Sequence, residues 1–293
     1  MHPILYKVVR FLSEANHNIV EIDDQLIEDF GEACKASLRR QFTEDRKDGF
    51  TMRMSSIGKP LCQLQMEEEG ASREPPPYNL KMRFIFGDMI EALAMVILKA
   101  SGVNVQSEQV KVSKKIAGEV IDGTYDVEID NEIWDIKSAS PYSFKYKFGE
   151  QGGFGAIAKD DSFGYIPQGY MYSEGSGKRF AGWIAIDKSS GEWVITEVPP
   201  GDEEYRKEAL VKVKKNVTAI KAKAPFKRAF SDVAEKFRKS LTGNRVLVMA
   251  CNFCSFKEAC WGDSLQFLPQ QKSVSKNPKW LWYTHISKED GNG

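Results

Sequence analysis

Apolar residues recur every three to four positions through "IVEIDDQLIEDFGEACKASLRRQF", with charges of both signs between them. That period predicts helix over most of residues 1–50. A polar, proline-rich loop, "EEEGASREPPPYN", follows at 67–79, and then "LKMRFIFGDMIEALAMVILKASG", a strongly apolar helix that Gly102 should stop. Beyond it the period falls to two. "VQSEQVKVS", "AGEVIDGTYDVEID" and "NEIWDIKSAS" read as three successive strands, turning at Lys114–Lys115 and at Asp130–Asn131. A glycine- and aromatic-rich stretch leads into a helix near 163–174. "RFAGWIAIDK" and "EWVITEVPP" are two further strands joined by "SSGE", and helices are expected at 202–222 and 231–241. A polar tail closes the chain. This order predicts an α/β core with helical flanks.

Composition narrows the chemistry. The chain has 293 residues, enough to bury a core without staples, and its formal net charge is zero. No apolar run is long enough to cross a bilayer and the start lacks a signal-peptide build, so a soluble, cytoplasmic protein is expected. The three histidines, His2, His17 and His285, lie near the ends, which argues against a His-based triad or H-E-x-x-H chemistry. No G-x-x-x-x-G-K-[ST] loop is present, so there is no helicase motor. Arg206–Arg228 carries nine basic residues against one acidic, Glu208, and suits either a solvated helix face or a phosphate-facing surface.

Three of the five cysteines fall in "CNFCSFKEAC", a C-x2-C-x5-C arrangement of Cys251, Cys254 and Cys260. In a reducing compartment such clustering points to metal rather than disulfides, and three thiolates need a fourth, from Cys34 or Cys62. Four thiolates suit zinc or an iron–sulfur cluster equally. Cys34 lies within a predicted amphipathic helix, where a cysteine behaves as a small hydrophobe.

The second chemical signal is acidic. Asp122 ends an apolar run just before a glycine. Asp135 and Lys137 are two apart in the next strand and so share a face. Glu91 interrupts an apolar helix among Phe86, Ile90, Leu93 and Ala94, a costly place for an unpaired acid. Carboxylates with a backbone carbonyl suit Mg²⁺ or Mn²⁺. The same residues, apart from Glu91, also suit an ordinary hairpin with a cross-strand Asp–Lys pair. Gln168 and Tyr172, four apart, share one helix face.

In the order Gly87…Glu91, "GEVIDG" with Asp122, "DIK" with Asp135 and Lys137, and "QGYMY" with Gln168 and Tyr172, the chain resembles PD-(D/E)XK nucleases of the RecB-like branch. The resemblance spans about residues 55–262. It implies a restriction-endonuclease-like core, a central mixed β-sheet flanked by helices, at 55–265, with a helical extension at 1–54 and a polar tail at 266–293. Some members, the CRISPR-associated and AddB-type iron–sulfur exonucleases, pin their ends together with a [4Fe–4S] cluster held by one cysteine before the core and C-x2-C-x5-C after it. By that likeness the fourth ligand is Cys62, in "RMSSIGKPLCQLQ", and the cluster a structural staple, with Zn²⁺ the alternative. Leu64 stands where relatives often place an arginine, so the resemblance implies no DNA contact at that position.

The resemblance further implies a DNA exonuclease in which Glu91, Asp122, Asp135 and the Ile136 carbonyl hold Mg²⁺ or Mn²⁺. Lys137 would orient the nucleophile. Gln168, Tyr172, Lys145 and Lys147 would guide the strand, with Tyr142, Phe144 and Tyr146 stacking on unpaired bases. The implied partners are linear DNA or single-stranded ends and a recombination or strand-annealing protein, in a phage-like or CRISPR-adaptation setting. A non-catalytic DNA-binding scaffold with a zinc or iron–sulfur site, and an RNA-directed nuclease, are the competing readings.

Overall fold

The computed structural model describes residues 1–44 and 49–287; 45–48 and 288–293, which fall in the expected extension and tail, lie outside the described residues. The chain divides into two compact units, Met1–Lys59 with Tyr78–Thr218, and Pro60–Pro77 with Ala219–Gly293. Among the described residues no helix is long and apolar enough to cross a membrane.

The first unit is mixed α/β. Helices α1 (Pro3–Ala15) and α2 (Asp24–Phe42) begin as their sequences require: Pro3 opens α1, and the side chains of His2 and Asp23 accept from Ile4 N and Gln25 N. The short α3 (Leu61–Glu68) belongs to the second unit. The apolar helix α4 (Leu80–Ala100) ends where Gly102 takes φ +74°. Five strands form one sheet in the order β1 (Val105–Ile116), β2 (Glu119–Ile129), β3 (Glu132–Ala139), β4 (Arg179–Asp187), β5 (Trp193–Glu197). Only β3 and β4 are parallel; the other neighbours are antiparallel. The central mixed sheet flanked by helices is the fold class expected.

Both hairpin turns have two central residues in the left-handed region, as tight turns between twisted strands demand. Asp130 (φ +52°) and Asn131 (φ +63°) lie where expected, whereas the first turn is Ala117–Gly118 (φ +50° and +88°), not Lys114–Lys115. The β1–β2 register runs from Val105↔Ile129 to Ile116↔Glu119, but β2 pairs with β3 only over Val127–Ile129. Beyond Trp134 the two strands part.

Ile4 and Val8 of α1, Ala94 and Leu98 of α4, and Val127, Trp134, Ile136 and Ile184 of the sheet form one buried cluster. Burying a side chain the size of Val8 contributes about 2 kcal/mol, so α1 is part of this core. Between β3 and β4 the chain forms α5 (Pro141–Ser143), a π-helical turn (Phe144–Phe148), α6 (Phe154–Lys159) and α7 (Tyr165–Ser176). After β5, α8 (Glu203–Lys221) carries the basic run. Its buried Asn216 donates to Ile57 O (2.7 Å) and Lys59 O (3.0 Å).

The second unit holds a four-stranded sheet, in the order β6 (Val233–Phe237), β7 (Ser240–Val246), β9 (Trp280–His285), β8 (Gln266–Pro269). The helices α9 (Met249–Asn252) and α10 (Lys257–Trp261) carry the cysteine segment. A helix was expected at 231–241. The chain instead reverses at Arg238–Lys239 (φ +48° and +72°) into an antiparallel hairpin. Val233, Phe237 and Leu241 have helical spacing, and arginine and lysine seldom mark a left-handed turn, so the break had no local signal. The expected polar tail contributes two strands, with Tyr283 fully buried.

Candidate active site

Glu91, Asp126, Asp135 and Lys137 come together on the first unit's sheet. Counting back across the Asp130–Asn131 turn, the β2–β3 register continues to Asp126 opposite Asp135. The paired register itself ends one step before it, at Val127↔Trp134. Asp126 Oδ2 accepts from Ile136 N at 2.7 Å. Asp135 is buried and ion-pairs with Lys137, and its Oδ2 accepts no other hydrogen bond. Glu91 reaches in from α4 and accepts from Gln109 Nε2 at 2.6 Å. Gln109 has φ +50° within β1, an uncommon conformation for a residue with a side chain.

The charges strain one another. Burial pushes Glu91 up to about 7; Lys137 opposes this, and Asp135 and Asp88 add to it. Burial, then Asp135 and Glu91, push Asp126 well above the usual carboxylate range. Burial alone would depress Lys137, but Asp135 and Asp126 outweigh it and hold the ammonium above its ordinary value. The cluster is thus short of positive charge: one ammonium faces three carboxylates.

Asp122 is not brought into this group. It lies four residues back along β2, about 13 Å at strand rise, where β2 pairs with β1, opposite Ser113, and forms an isolated parallel bridge to Arg53. It is exposed, and its carbonyl accepts from Met54 N (2.9 Å). The place expected for Asp122 is taken by Asp126, and the hairpin register supplies the reason. The signal was present: with the turn at Asp130–Asn131, the residue opposite Asp135 follows by counting.

Gln168 and Tyr172 do share a face of α7 and meet the cluster. Gln168 Nε2 donates to Tyr172 OH at 2.8 Å and, more weakly, to Asp135 Oδ1 at 3.4 Å. Tyr172 also lines a cleft of about 840 Å³ with Arg53, Lys111 and Asp122. Lys147 approaches through an aromatic pair: its Nζ lies 5.1 Å from the Phe163 ring and 5.4 Å from Tyr165, and Lys137 Nζ is 5.3 Å from Tyr165 on its own account. Tyr165 was missed because nothing in "GYIPQ" marks it. Lys145 lies over the half-exposed Tyr146, which pairs with the exposed Tyr142 at 5.0 Å. A second cleft, about 540 Å³, reaches Glu91 and Asp126 between α2 and α4, where Arg40 ion-pairs with Asp88 (2.6 Å).

In the second unit Cys62, Cys251, Cys254 and Cys260 sit within reach of one another's charge. Burial, then Cys254, Cys260 and Cys62, push Cys251 up to about 11. Cys62 and Cys254 are also raised, by burial first and by neighbouring thiols after it. Cys34 lies on α2, in the first unit. All five are free thiols. The segment around Cys62 is tied to the others: Glu74 N donates to Ser255 O (2.8 Å), Lys257 ion-pairs with Glu74, and the Arg228 guanidinium donates twice to Cys260 O. Leu64 is fully buried and makes no surface for DNA.

Among the described residues no group of three or more His, Cys, Asp or Glu side chains is placed to hold a metal ion as it stands. The donor chemistry of each group nevertheless fits one. Three neighbouring carboxylates, two of them, Glu91 and Asp126, pushed up by burial and by Asp135, are hard oxygen donors suited to Mg²⁺ or Mn²⁺, and four mutually crowded thiols suit zinc or iron–sulfur.

No family profile matches the sequence, and no curated protein matches it. Solved structures that align with part of the chain include the following two. A protein designated SSO0001 aligns with a TM-score of 0.43 at 14% identity, over 78% of this chain and 95% of its own. A Eubacterium rectale protein presumed to be an exonuclease aligns at 0.34 and 17% identity, over 47% of this chain and 55% of its own. This chain therefore spans about half the length of the second.

Proposed function

We propose that this chain is a metal-dependent deoxyribonuclease that removes nucleotides from DNA ends. The observation that carries the reading is the buried Asp135–Lys137 pair with Asp126 and Glu91 crowded against it. An Mg²⁺ or Mn²⁺ ion there would polarise a phosphoryl oxygen and supply a hydroxide nucleophile at neutral pH. Glu91, Asp126, Asp135 and the Ile136 carbonyl are the residues that would hold it. Lys137, pinned by Asp135, is kept charged and aimed, so it can orient the attacking water and stabilise charge on phosphorus. Gln168 bridges Tyr172 and the same carboxylate, and the pair would guide where a strand lies. Cys62, Cys251, Cys254 and Cys260 would hold a structural [4Fe–4S] cluster or zinc, whose binding free energy becomes folding free energy.

The test is incubation of end-labelled linear DNA, single- and double-stranded, with Mg²⁺ or Mn²⁺, alongside iron and zinc analysis of anaerobically purified protein. Progressive shortening from an end that stops with Asp135→Asn is the expected result. Intact DNA in every metal and strand form would refute the nuclease and leave a binding scaffold.

A further inference from the structure

The β8–β9 hairpin of the second unit presents an aromatic face that the catalytic reading does not use. Phe267 pairs directly with Trp282 across the hairpin, and Pro269 with Trp280, so the three rings share one face while Tyr283 points to the other. The Phe267 ring lies 4.7 Å from Trp282 and 5.2 Å from Trp280, tilted by 30° and 38°. Phe267 is 48% exposed and Trp280 53%. β8 is the edge strand of its sheet.

Cross-strand aromatic pairs steady many hairpins, and that alone would not require a ligand. The surrounding charge adds the second observation. From Ser264 to Ser287 there is no Asp or Glu, while Lys272, Lys276 and Lys279 all fall in the loop that joins the two strands. Each of the three is exposed, and the loop is closed by Gln270 N donating to Lys279 O at 2.8 Å. A fourth lysine, Lys257 of α10, sets its Nζ 5.0 Å from the Trp282 ring while paired with Glu74. Exposed π-faces beside exposed lysines are complementary to bases strung on a phosphate backbone.

We propose that this face is a stacking platform for single-stranded DNA, with bases on Trp280 and Phe267 and the loop lysines on phosphates. The choice of DNA rests on the nuclease reading above. Bases buried in a duplex do not offer their faces, so the platform selects unpaired strand.

The experiment uses the full chain carrying Asp135→Asn to block cleavage, with a fluorescent oligothymidylate of about 16 nucleotides, long enough to span both rings and the loop, read by anisotropy. Trp280→Ala with Phe267→Ala should weaken binding about 10-fold or more, while Trp280→Phe stays near the parent. Replacing the three loop lysines by glutamine should lower the slope of log affinity against log salt by up to about 2. Unchanged oligothymidylate affinity in the double alanine variant, with the parent's circular dichroism, would overturn the proposal. So would a change in sedimentation alone, which would assign the face to a second copy of the chain. If the unmutated chain cuts no DNA yet still needs Trp280 to bind the oligonucleotide, the nuclease reading falls and the platform stands.

Discussion

Asp126 and Asp122 are both aspartates on one face of one strand, yet their chemical fates differ. Asp126 faces Asp135 where β2 and β3 part, and its charge is opposed by two carboxylates; Asp122 faces solvent. Replacing Asp126 or Asp135 by asparagine should therefore lower DNA cleavage at least about 100-fold, the scale of losing a group that organises developing charge. Asp122→Asn should stay within about threefold of the parent. Rates on end-labelled DNA decide it, and a severe loss at Asp122 would overturn the assignment. Most of this site was legible in the sequence. Lys137 beside Asp135 follows from strand periodicity, Glu91 from the cost of an acid in an apolar helix, and Gln168 with Tyr172 from helical spacing. Asp122 was expected in the cluster because the motif was matched locally, whereas partnership across a hairpin is set by the turn, and the structure places Asp122 apart from it. Gln109 and Tyr165 had no local mark; their roles arise from contacts between elements distant in sequence.

At the scale of elements, the second unit's sheet depends on one buried acid. Glu235 accepts from Thr242 Oγ1 (2.7 Å), Asn244 Nδ2 (2.8 Å), Tyr283 OH (2.9 Å) and Gln270 Nε2 (3.2 Å). Burial works against its charge, but these donors together hold its carboxyl below the usual range. A lowered folded-state pKa gives stability that is complete above the unfolded value near 4.5 and is lost as pH falls through the folded one. Thermal melts of the parent should therefore drop below about pH 4.5, and Glu235→Ala, which strands four donors, should cost about 2–3 kcal/mol at pH 7. A pH-independent difference between the two proteins would refute this. The first sheet has an analogous fixed point at Gly182, with φ +147°: an added Cβ would lie 2.1 Å from Thr196 O. Gly182→Ala should destabilise by more than about 2 kcal/mol, measured by denaturant melt. Both sheets show why turns were the least legible elements. Asp130–Asn131 announces itself; Arg238–Lys239 does not.

For the whole molecule, the cysteines make the sharpest forecast. If one metal centre joins them, Cys62→Ser should lose metal and melting temperature to the same extent as Cys260→Ser. Cys34→Ser should lose neither, because among the described residues only Cys62, Cys251, Cys254 and Cys260 act on one another's thiols. Iron and zinc analysis with melting curves checks this, and a Cys62 variant that keeps a full metal complement would refute it.

The second unit is built from two stretches of chain, Pro60–Pro77 and everything from Ala219 onward, with most of the first unit encoded between them. During synthesis this imposes a wait. When α3 leaves the ribosome its partners have not been translated, and about 190 residues separate Cys62 from Cys251. At 5–20 residues per second that interval is roughly 10–40 s. Over that time the first unit's sheet can close, while Cys62 and Gln65, whose side chain finally donates to Ala224 O, remain without a destination. Any centre that joined all four cysteines could close only after Cys260 had been synthesised, and a transcript truncated before codon 251 yields a polypeptide that cannot complete its second unit.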